Sequence, residues 1–164
     1  MIAARRLLLL TVAAWAAGCA TGPEQPPGHR SRSAVPLRPE AAREAAVLAV
    51  SLVGVPYRYG GASPDSGFDC SGLVWYVYRQ AAGLALPRNT VELERGCWPV
   101  AQHEIQLGDL VFYDTLGRAF SHVGIYVGDR RFVHAPSRGG AVQIVSMRNA
   151  YWARRFSGAR RVAI

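Results

Sequence analysis

The chain has 164 residues, half of them hydrophobic and 18% charged, which excludes an intrinsically disordered protein and allows one domain with a packed core. Its formal net charge is +8, and all 19 basic residues are arginines spread along the chain without a zinc-finger, Walker or nucleic-acid-binding pattern. We therefore expect a basic surface that favours anionic polymers, and no nucleic-acid partner.

The N-terminus has the features of a secretory signal peptide. Two arginines precede an almost continuously apolar run, Leu7 to Ala17, which is too short to span a membrane. The run ends in Ala16-Ala17-Gly18-Cys19, which resembles a bacterial lipobox and predicts that residues 1–18 are removed and Cys19 is lipidated. Because Ala20 rather than aspartate follows, we expect an outer-membrane lipoprotein that faces the periplasm. Simple secretion into the envelope is the alternative.

The next segment is expected to be a flexible tether. Residues 19–39 are rich in proline, glycine, serine and arginine and cannot form a core. The folded domain is predicted to span residues 40–164. It opens with an alanine-rich helix over Glu40 to Val53, which Gly54 and Pro56 end.

A second helix is predicted where a polar, glycine-flanked loop becomes apolar, at Cys70, and it runs to Ala82 with Gly83 as its stop. Cys70 then lies in the first turn, where free N–H groups and the helix dipole favour a thiolate. Such thiols can titrate roughly one to five pH units below the free value of about 8.5, and the same N–H groups can stabilise an oxyanion. A small buried cysteine at a helix start is the alternative.

Three cysteines are present, and the predicted lipidation uses Cys19. A disulfide between Cys70 and Cys97 is an open alternative in an oxidising compartment, although it would consume the expected nucleophile. We interpret Cys97 as a partly buried residue without a catalytic role.

The remaining chain predicts a short helix followed by a sheet. The helix begins near Pro87, with Asn89 or Thr90 as its cap. A helical turn is expected around Asn149 to Ala153. The β-rich runs are 108–113, 122–127, 131–135, 141–145 and 159–164. Helices first and a meander of strands afterwards predict an α+β fold with helices packed on a central antiparallel sheet.

Two of the four histidines, His122 and His134, lie on neighbouring predicted strands. A histidine suits proton transfer from a thiol, and a second one can orient it through a hydrogen bond. A two-residue turn at Gly128-Asp129 would put them on opposite faces, whereas an odd loop or a bulge would put them on the same face. We predict the odd loop or bulge, and a nucleophile, base and orienting residue at Cys70, His122 and His134. Zinc is the competing chemistry, but no C-x-x-C ligand pair is present.

Tyr57 can pack on the first helix as a buried loop residue or aim its hydroxyl into the site.

The segments around the candidate site residues resemble, in order and spacing, the NlpC-type cell-wall cysteine peptidases, a papain-like family. The resemblance covers residues 40–164 and rests on five segments: 56–61 (PYRYGG), 68–74 (FDCSGLV), 108–112 (GDLVF), 121–126 (SHVGIY) and 132–135 (FVHA).

The resemblance implies a papain-like NlpC fold and hydrolysis of amide bonds in peptidoglycan stem peptides, without a metal or cofactor. It assigns Cys70 as the nucleophile, His122 as the general base and His134 as its orienting residue. It also implies that Tyr57 helps hold the oxyanion or the substrate.

The same resemblance places Asp69 and Ser71 at positions that contact the substrate in some relatives. Two bonds remain open, the D-alanine–diaminopimelate cross-link and the D-glutamate–diaminopimelate bond within a stem, and we favour the cross-link. Acyl transfer by the same fold and a non-catalytic envelope-binding lipoprotein are the alternatives. We expect a monomer that binds peptidoglycan, contacts the membrane through its lipid and is subject to a regulatory envelope protein.

Overall fold

The computed structural model describes residues 35–137 and 140–163. The predicted signal peptide, Cys19 and most of the expected tether lie outside these residues. Within them, no helix has both the length and the apolar character needed to cross a bilayer. The helices are α1 (Pro39–Ser51), α2 (Cys70–Ala82), α3 (Thr90–Gly96) and α4 (Ala150–Ala153). The strands are β1 (Ala62–Ser63), β2 (Gly67–Phe68), β3 (Trp98–Val100), β4 (Leu110–Tyr113), β5 (His122–Gly128), β6 (Arg131–His134), β7 (Gln143–Ser146) and β8 (Phe156–Arg161).

Six of the strands form one antiparallel sheet in the order β3-β8-β4-β5-β6-β7, and β1 and β2 form a separate small ribbon. The main core lies between the sheet and helices α1 and α2, where Leu73 and Val77 meet Val123 and Ile125. A smaller aromatic cluster covers the opposite face of the sheet, on the side of α4. The predicted α+β class, with helices packed on an antiparallel sheet, is confirmed.

The helix that carries Cys70 begins and ends where its sequence predicts. The carboxylate of Asp69 accepts a hydrogen bond from the N–H of Gly72 at 2.6 Å, and so caps the first turn. At the other end Gly83 adopts a φ of 67°, a left-handed conformation that glycine adopts without steric cost. Asn89 caps α3 in the same way as Asp69, through the N–H of Glu92.

Residues just before the expected domain start at residue 40 pair with the C-terminal end of the chain. Pro36 forms a bridge with Ala163, and the N–H of Leu37 donates to the carbonyl of Val162 at 3.0 Å. The last residues of the expected tether therefore extend the sheet beyond β8. The final strand also lies earlier than its predicted range, 159–164, because its first residues pair with β4.

The turn between β5 and β6 contains the predicted irregularity. Asp129 and Arg130 have φ values of 49° and 54° and form a two-residue turn, and the register shifts between Tyr126 and Gly128. The extra residue of this bulge shifts the register by one position, so that Ile125 lies opposite Val133. Since side chains alternate along strands, His122 and His134 lie on the same face, as predicted.

Candidate active site

Cys70 is the first residue of α2 and is partly buried against the main core. The backbone N–H groups of Cys70, Ser71 and Val123 lie at the thiol and lower its pKa. Burial and the negative charge of Asp69 act in the opposite direction and outweigh them, so the pKa of Cys70 lies above its ordinary value of about 9. The expectation of a resting thiolate is therefore wrong: the helix terminus acts as predicted, but desolvation disfavours the charged form more strongly.

His122 and His134 form a buried pair. His122 Nε2 lies 2.9 Å from His134 Nδ1, and the two side chains stand nearly at right angles. The residues are 6% and 0% exposed, respectively. Burial lowers the pKa of both imidazoles, and a positive charge on His122 would lower that of His134 further. Both rings are therefore neutral at physiological pH, and each can accept a proton.

Trp152, at the short helix α4, completes the wall around the histidine pair. Its ring stacks on His122 with centroids 5.6 Å apart and meets His134 edge-on at 4.8 Å. It excludes water from both imidazoles and contributes to their burial. The sequence places Trp152 in a helical turn but has no signal that this turn packs against the histidines.

Gln143 contacts the far side of the pair. It is the direct cross-strand partner of His134 in β6 and β7, and its side-chain amide lies 3.2 Å from His134 Nε2. The sequence predicts a strand here, but the length of the preceding loop leaves its register undetermined. Gln143 was for that reason not predicted as a site residue.

Cys70 and the histidine pair meet where α2 packs against the start of β5. The N–H of Val123 lies at the thiol, which places the sulfur next to the residue that follows His122. No hydrogen bond joins the thiol to His122 within the two described ranges. Catalytic contacts of this kind often tighten only when substrate binds. Because His134 occupies Nε2, Nδ1 is the His122 nitrogen that remains for the thiol.

Tyr57 is partly buried against the main core and lies near Cys70. The pKa of its phenol is raised by burial first, and then by its proximity to the charges of Cys70 and Asp69. Its N–H donates to the carbonyl of Gly140 at 2.7 Å, and it bridges Phe68 next to the helix start. The backbone thus holds the Tyr57 hydroxyl close to Cys70.

Asp69 and Ser71 make hydrogen bonds that fix the backbone around Cys70. Besides capping α2, Asp69 accepts from the N–H of Gly60 at 2.8 Å and pairs with Arg88 at 3.5 Å. The Ser71 hydroxyl lies 2.7 Å from the carbonyl of Arg88. Their predicted contact with substrate remains a prediction. The structure adds that both residues, together with Arg88, which was not predicted, position the Cys70 turn.

Cys97 lies in the main core and, like Cys70, is a free cysteine, so the alternative of a Cys70–Cys97 disulfide is excluded here. Burial raises the pKa of its thiol to about 11. In the described part of the chain, no group of three or more histidine, cysteine or acidic side chains is placed to hold a metal ion. The arrangement instead suits nucleophilic catalysis: a thiol, a neutral imidazole and N–H donors around one point.

A family model described as the NlpC/P60 family matches residues 54–161. Murein DD-endopeptidase MepH of Escherichia coli K12 is 46% identical over 113 residues, which cover 67% of this chain and 42% of that protein. Murein DD-endopeptidase MepS/Murein LD-carboxypeptidase of the same strain is 44% identical over 66% of this chain and 56% of its own length. Gamma-DL-glutamyl hydrolase of Bacillus subtilis is 43% identical over 69% of this chain and 27% of its own length.

Solved structures of NlpC/P60 proteins are also similar to this chain. The NlpC/p60 domain of peptidoglycan hydrolase SagA has a TM-score of 0.62 and 32% identity, over 74% of this chain and 98% of that one. A lipoprotein-like NLP/P60 family protein from Staphylococcus aureus has a TM-score of 0.67 and 35% identity, over 80% of this chain and 44% of that one. The chain thus matches 27% to 56% of the length of the curated relatives named above.

Proposed function

The chain belongs to the NlpC/P60 family, and we propose that it is a lipid-anchored cysteine endopeptidase that hydrolyses amide bonds in peptidoglycan stem peptides or their cross-links. The observation that supports this most strongly is the free Cys70 at the start of α2, beside the buried His122–His134 pair. The names of three similar proteins, two murein endopeptidases and a glutamyl hydrolase, support the same substrate class.

The reaction begins with a neutral thiol and a neutral imidazole. As the Cys70 sulfur attacks the amide carbonyl, His122 Nδ1 takes the thiol proton, so that the two charges form together and stabilise each other. The Cys70 N–H and the Tyr57 hydroxyl hold the oxyanion. His122 then gives its proton to the leaving amine, and the C–N bond breaks to leave a thioester on Cys70.

The second half of the reaction releases the acyl group. His122 removes a proton from water as its oxygen attacks the thioester, and the imidazolium then gives that proton to the Cys70 sulfur as the C–S bond breaks, which releases the carboxylic acid and regenerates the thiol. Throughout, His134 keeps the His122 ring in place through the 2.9 Å contact, while Trp152 keeps bulk water from both rings. None of these steps uses a metal or a cofactor.

We favour the D-alanine–diaminopimelate cross-link over the D-glutamate–diaminopimelate bond as the substrate. Two of the three relatives named above are murein DD-endopeptidases, whereas the third is a gamma-DL-glutamyl hydrolase with similar identity. The bond is therefore the part of the proposal that most needs an experiment.

The experiment is mass spectrometry of purified cross-linked muropeptides after digestion, beside Cys70→Ala protein as the matched control. Dimers converted to intact monomers would support cross-link cleavage, and stems cut after D-glutamate would assign the other bond. A product joined to an added amine would identify acyl transfer instead. If dimers and stems both stay intact, the endopeptidase proposal is wrong and the binding function replaces it.

The lipid anchor at Cys19 and an outer-membrane position that faces the periplasm belong to the same proposal, with simple secretion as the alternative. An anchor would raise the local concentration of the enzyme at its insoluble polymer substrate. Metabolic labelling with an alkyne fatty acid should mark the wild-type protein and leave Cys19→Ser unmarked. Equal labelling of both would contradict the anchor. A monomeric state and a regulatory envelope protein remain predictions.

A further inference from the structure

The buried histidine pair continues into a third side chain, which has no role in the mechanism above. His134 directs Nδ1 to His122, and its other ring nitrogen, Nε2, lies 3.2 Å from the side-chain amide of Gln143. Direct pairing of His134 with Gln143 across β6 and β7 puts both side chains on the same face of the sheet. The three groups form one hydrogen-bonded chain that ends at the solvent-exposed Gln143.

We propose that Gln143 is a positioning residue that selects the tautomer of His122 through His134, and so determines whether His122 can act as a base. The inference rests on the proposed function, in which Nδ1 of His122 receives the proton of the Cys70 thiol. The two orientations of the Gln143 amide have opposite consequences for that nitrogen.

With the amide oxygen turned to His134, both hydrogen bonds run outward, that is, His122 donates to His134 and His134 donates to Gln143. His134 Nε2–H donates to the oxygen, so in the neutral ring Nδ1 of His134 carries no hydrogen and accepts from His122 Nε2–H. His122 Nδ1 then has a free lone pair and can accept the thiol proton. The same directions remain correct once His122 becomes an imidazolium, because its Nε2–H still meets an acceptor.

With the amide nitrogen turned to His134, every hydrogen bond reverses. The amide N–H donates to His134 Nε2, so His134 Nδ1–H donates to His122 Nε2 and the hydrogen of His122 moves to Nδ1. In that state His122 presents an N–H rather than a lone pair and cannot act as a base. The structure places the amide nitrogen of Gln143 3.2 Å from His134 Nε2, and a half-turn of the terminal torsion brings the amide oxygen to the same position.

The electrostatic surroundings leave this choice to Gln143. Tyr113 in β4 is the cross-strand partner of His122, and the Cys70 thiol in α2 lies at the N–H of Val123; burial raises the pKa of both groups, so both are neutral near pH 7. In the described residues, burial alone lowers the pKa of His122, and burial together with His122 lowers the pKa of His134, so no carboxylate or other cation contributes. A neutral amide is thus the group that sets the direction of the hydrogen bonds.

The position of Gln143 also makes it suitable for testing. It is exposed, and β7 is the outermost strand of the sheet, so substitutions there leave the core unchanged. Gln143→Met keeps the length of the side chain without a hydrogen-bonding amide. Gln143→Glu can only accept, and it therefore enforces the outward direction. Ile144→Thr is a control on the same strand, with its side chain on the opposite face.

The experiment combines side-chain ¹⁵N NMR of the two histidines, without substrate, and the pH dependence of kcat on muropeptides. We expect Gln143→Glu to hold His122 with its hydrogen on Nε2 and, because a carboxylate favours the imidazolium, to move the acid limb of kcat to higher pH. Gln143→Met should give mixed tautomers and a kcat at least about tenfold lower, with KM little changed. Ile144→Thr should match the wild type.

Wild-type tautomers together with wild-type kcat in Gln143→Met would overturn the inference, as would a kcat loss in Ile144→Thr equal to that in Gln143→Met. The tautomers are measured without substrate. If the wild type cuts no muropeptide, the proposed function fails, but the nitrogen signals still decide whether Gln143 sets the tautomer.

Discussion

His122 Nε2 and His134 Nδ1 lie 2.9 Å apart in the sheet, although the two residues come from different strands joined by a tight turn. The bulge between Tyr126 and Gly128 makes this contact possible, because without the shift the two side chains would point to opposite faces. The orientation of the His122 ring, the proposed base, thus depends on one extra residue in a hairpin.

Loss of this partner should impair catalysis more than folding. His134→Ala leaves His122 Nε2 without its hydrogen bond, and we expect kcat to fall by about 10²-fold or more. His134→Gln offers an amide oxygen to the same nitrogen and should retain more activity than alanine. Steady-state kinetics on muropeptides measure the effect, and urea unfolding monitors the fold. Wild-type kcat in His134→Ala would show that His134 has no orienting role.

The raised pKa of Cys70 predicts an alkaline profile for its alkylation. Below that pKa the thiol is protonated, so the thiolate fraction and the iodoacetamide rate should rise about tenfold per pH unit through neutrality, without levelling off below pH 9. Cys97 is buried, and its pKa is raised to about 11, so it should react later. Peptide mapping separates the two sites. A plateau at acid pH would instead indicate a resting thiolate–imidazolium pair.

Asp69 offers a separate test of the same electrostatics. Asp69→Asn keeps an oxygen that can accept from the N–H of Gly72, but it removes the charge that raises the pKa of Cys70. We expect faster alkylation of Cys70 at each pH below its pKa, since a larger fraction is thiolate. Asp69→Ala also loses the cap, and its free energy of unfolding should fall by about 1–2 kcal/mol. Slower alkylation in Asp69→Asn would contradict the assigned direction.

Gly72 allows the Tyr57–Gly61 loop to approach the Cys70 turn. A Cβ at this position would lie 2.0 Å from the carbonyl oxygen of Gly61 and 2.6 Å from the Arg88 guanidinium. Because the first contact is with backbone, Gly72→Ala should lower the free energy of unfolding by about 1–3 kcal/mol and displace the loop. Gly96→Ala, which meets nothing within 4 Å, is the matched control and should change stability by less than about 0.5 kcal/mol. Equal urea midpoints for the two variants would refute the close approach.

Most of the fold was predictable because local signals agree with the tertiary structure. Asp69 and Gly83 define the ends of α2 by their own chemistry, and alternation in β5 places His122 on one face. To place His122 and His134 on the same face, the hairpin needed an odd loop or a bulge, and the structure contains the bulge. These features depend on neighbours in sequence, which a single sequence shows directly.

The unpredicted parts of the site depend on packing and register between distant segments. Gln143 reaches His134 because of the pairing of β6 with β7, and Trp152 covers the histidines because α4 folds back over the sheet. The pKa of Cys70 was expected to be low because the helix terminus is visible in the sequence. The burial that raises the pKa becomes apparent only once α2 packs on β5.

In the proposed reaction, every covalent step takes place on the Cys70 sulfur. The most direct test is the initial rate at which purified protein releases monomers from cross-linked muropeptides, compared with Cys70→Ala under the same conditions. We predict that the variant keeps its urea unfolding midpoint and loses activity by about 10³-fold or more, because the other thiol of the described residues, Cys97, is buried in the main core. Monomer release by Cys70→Ala within about tenfold of the wild-type rate would contradict the account.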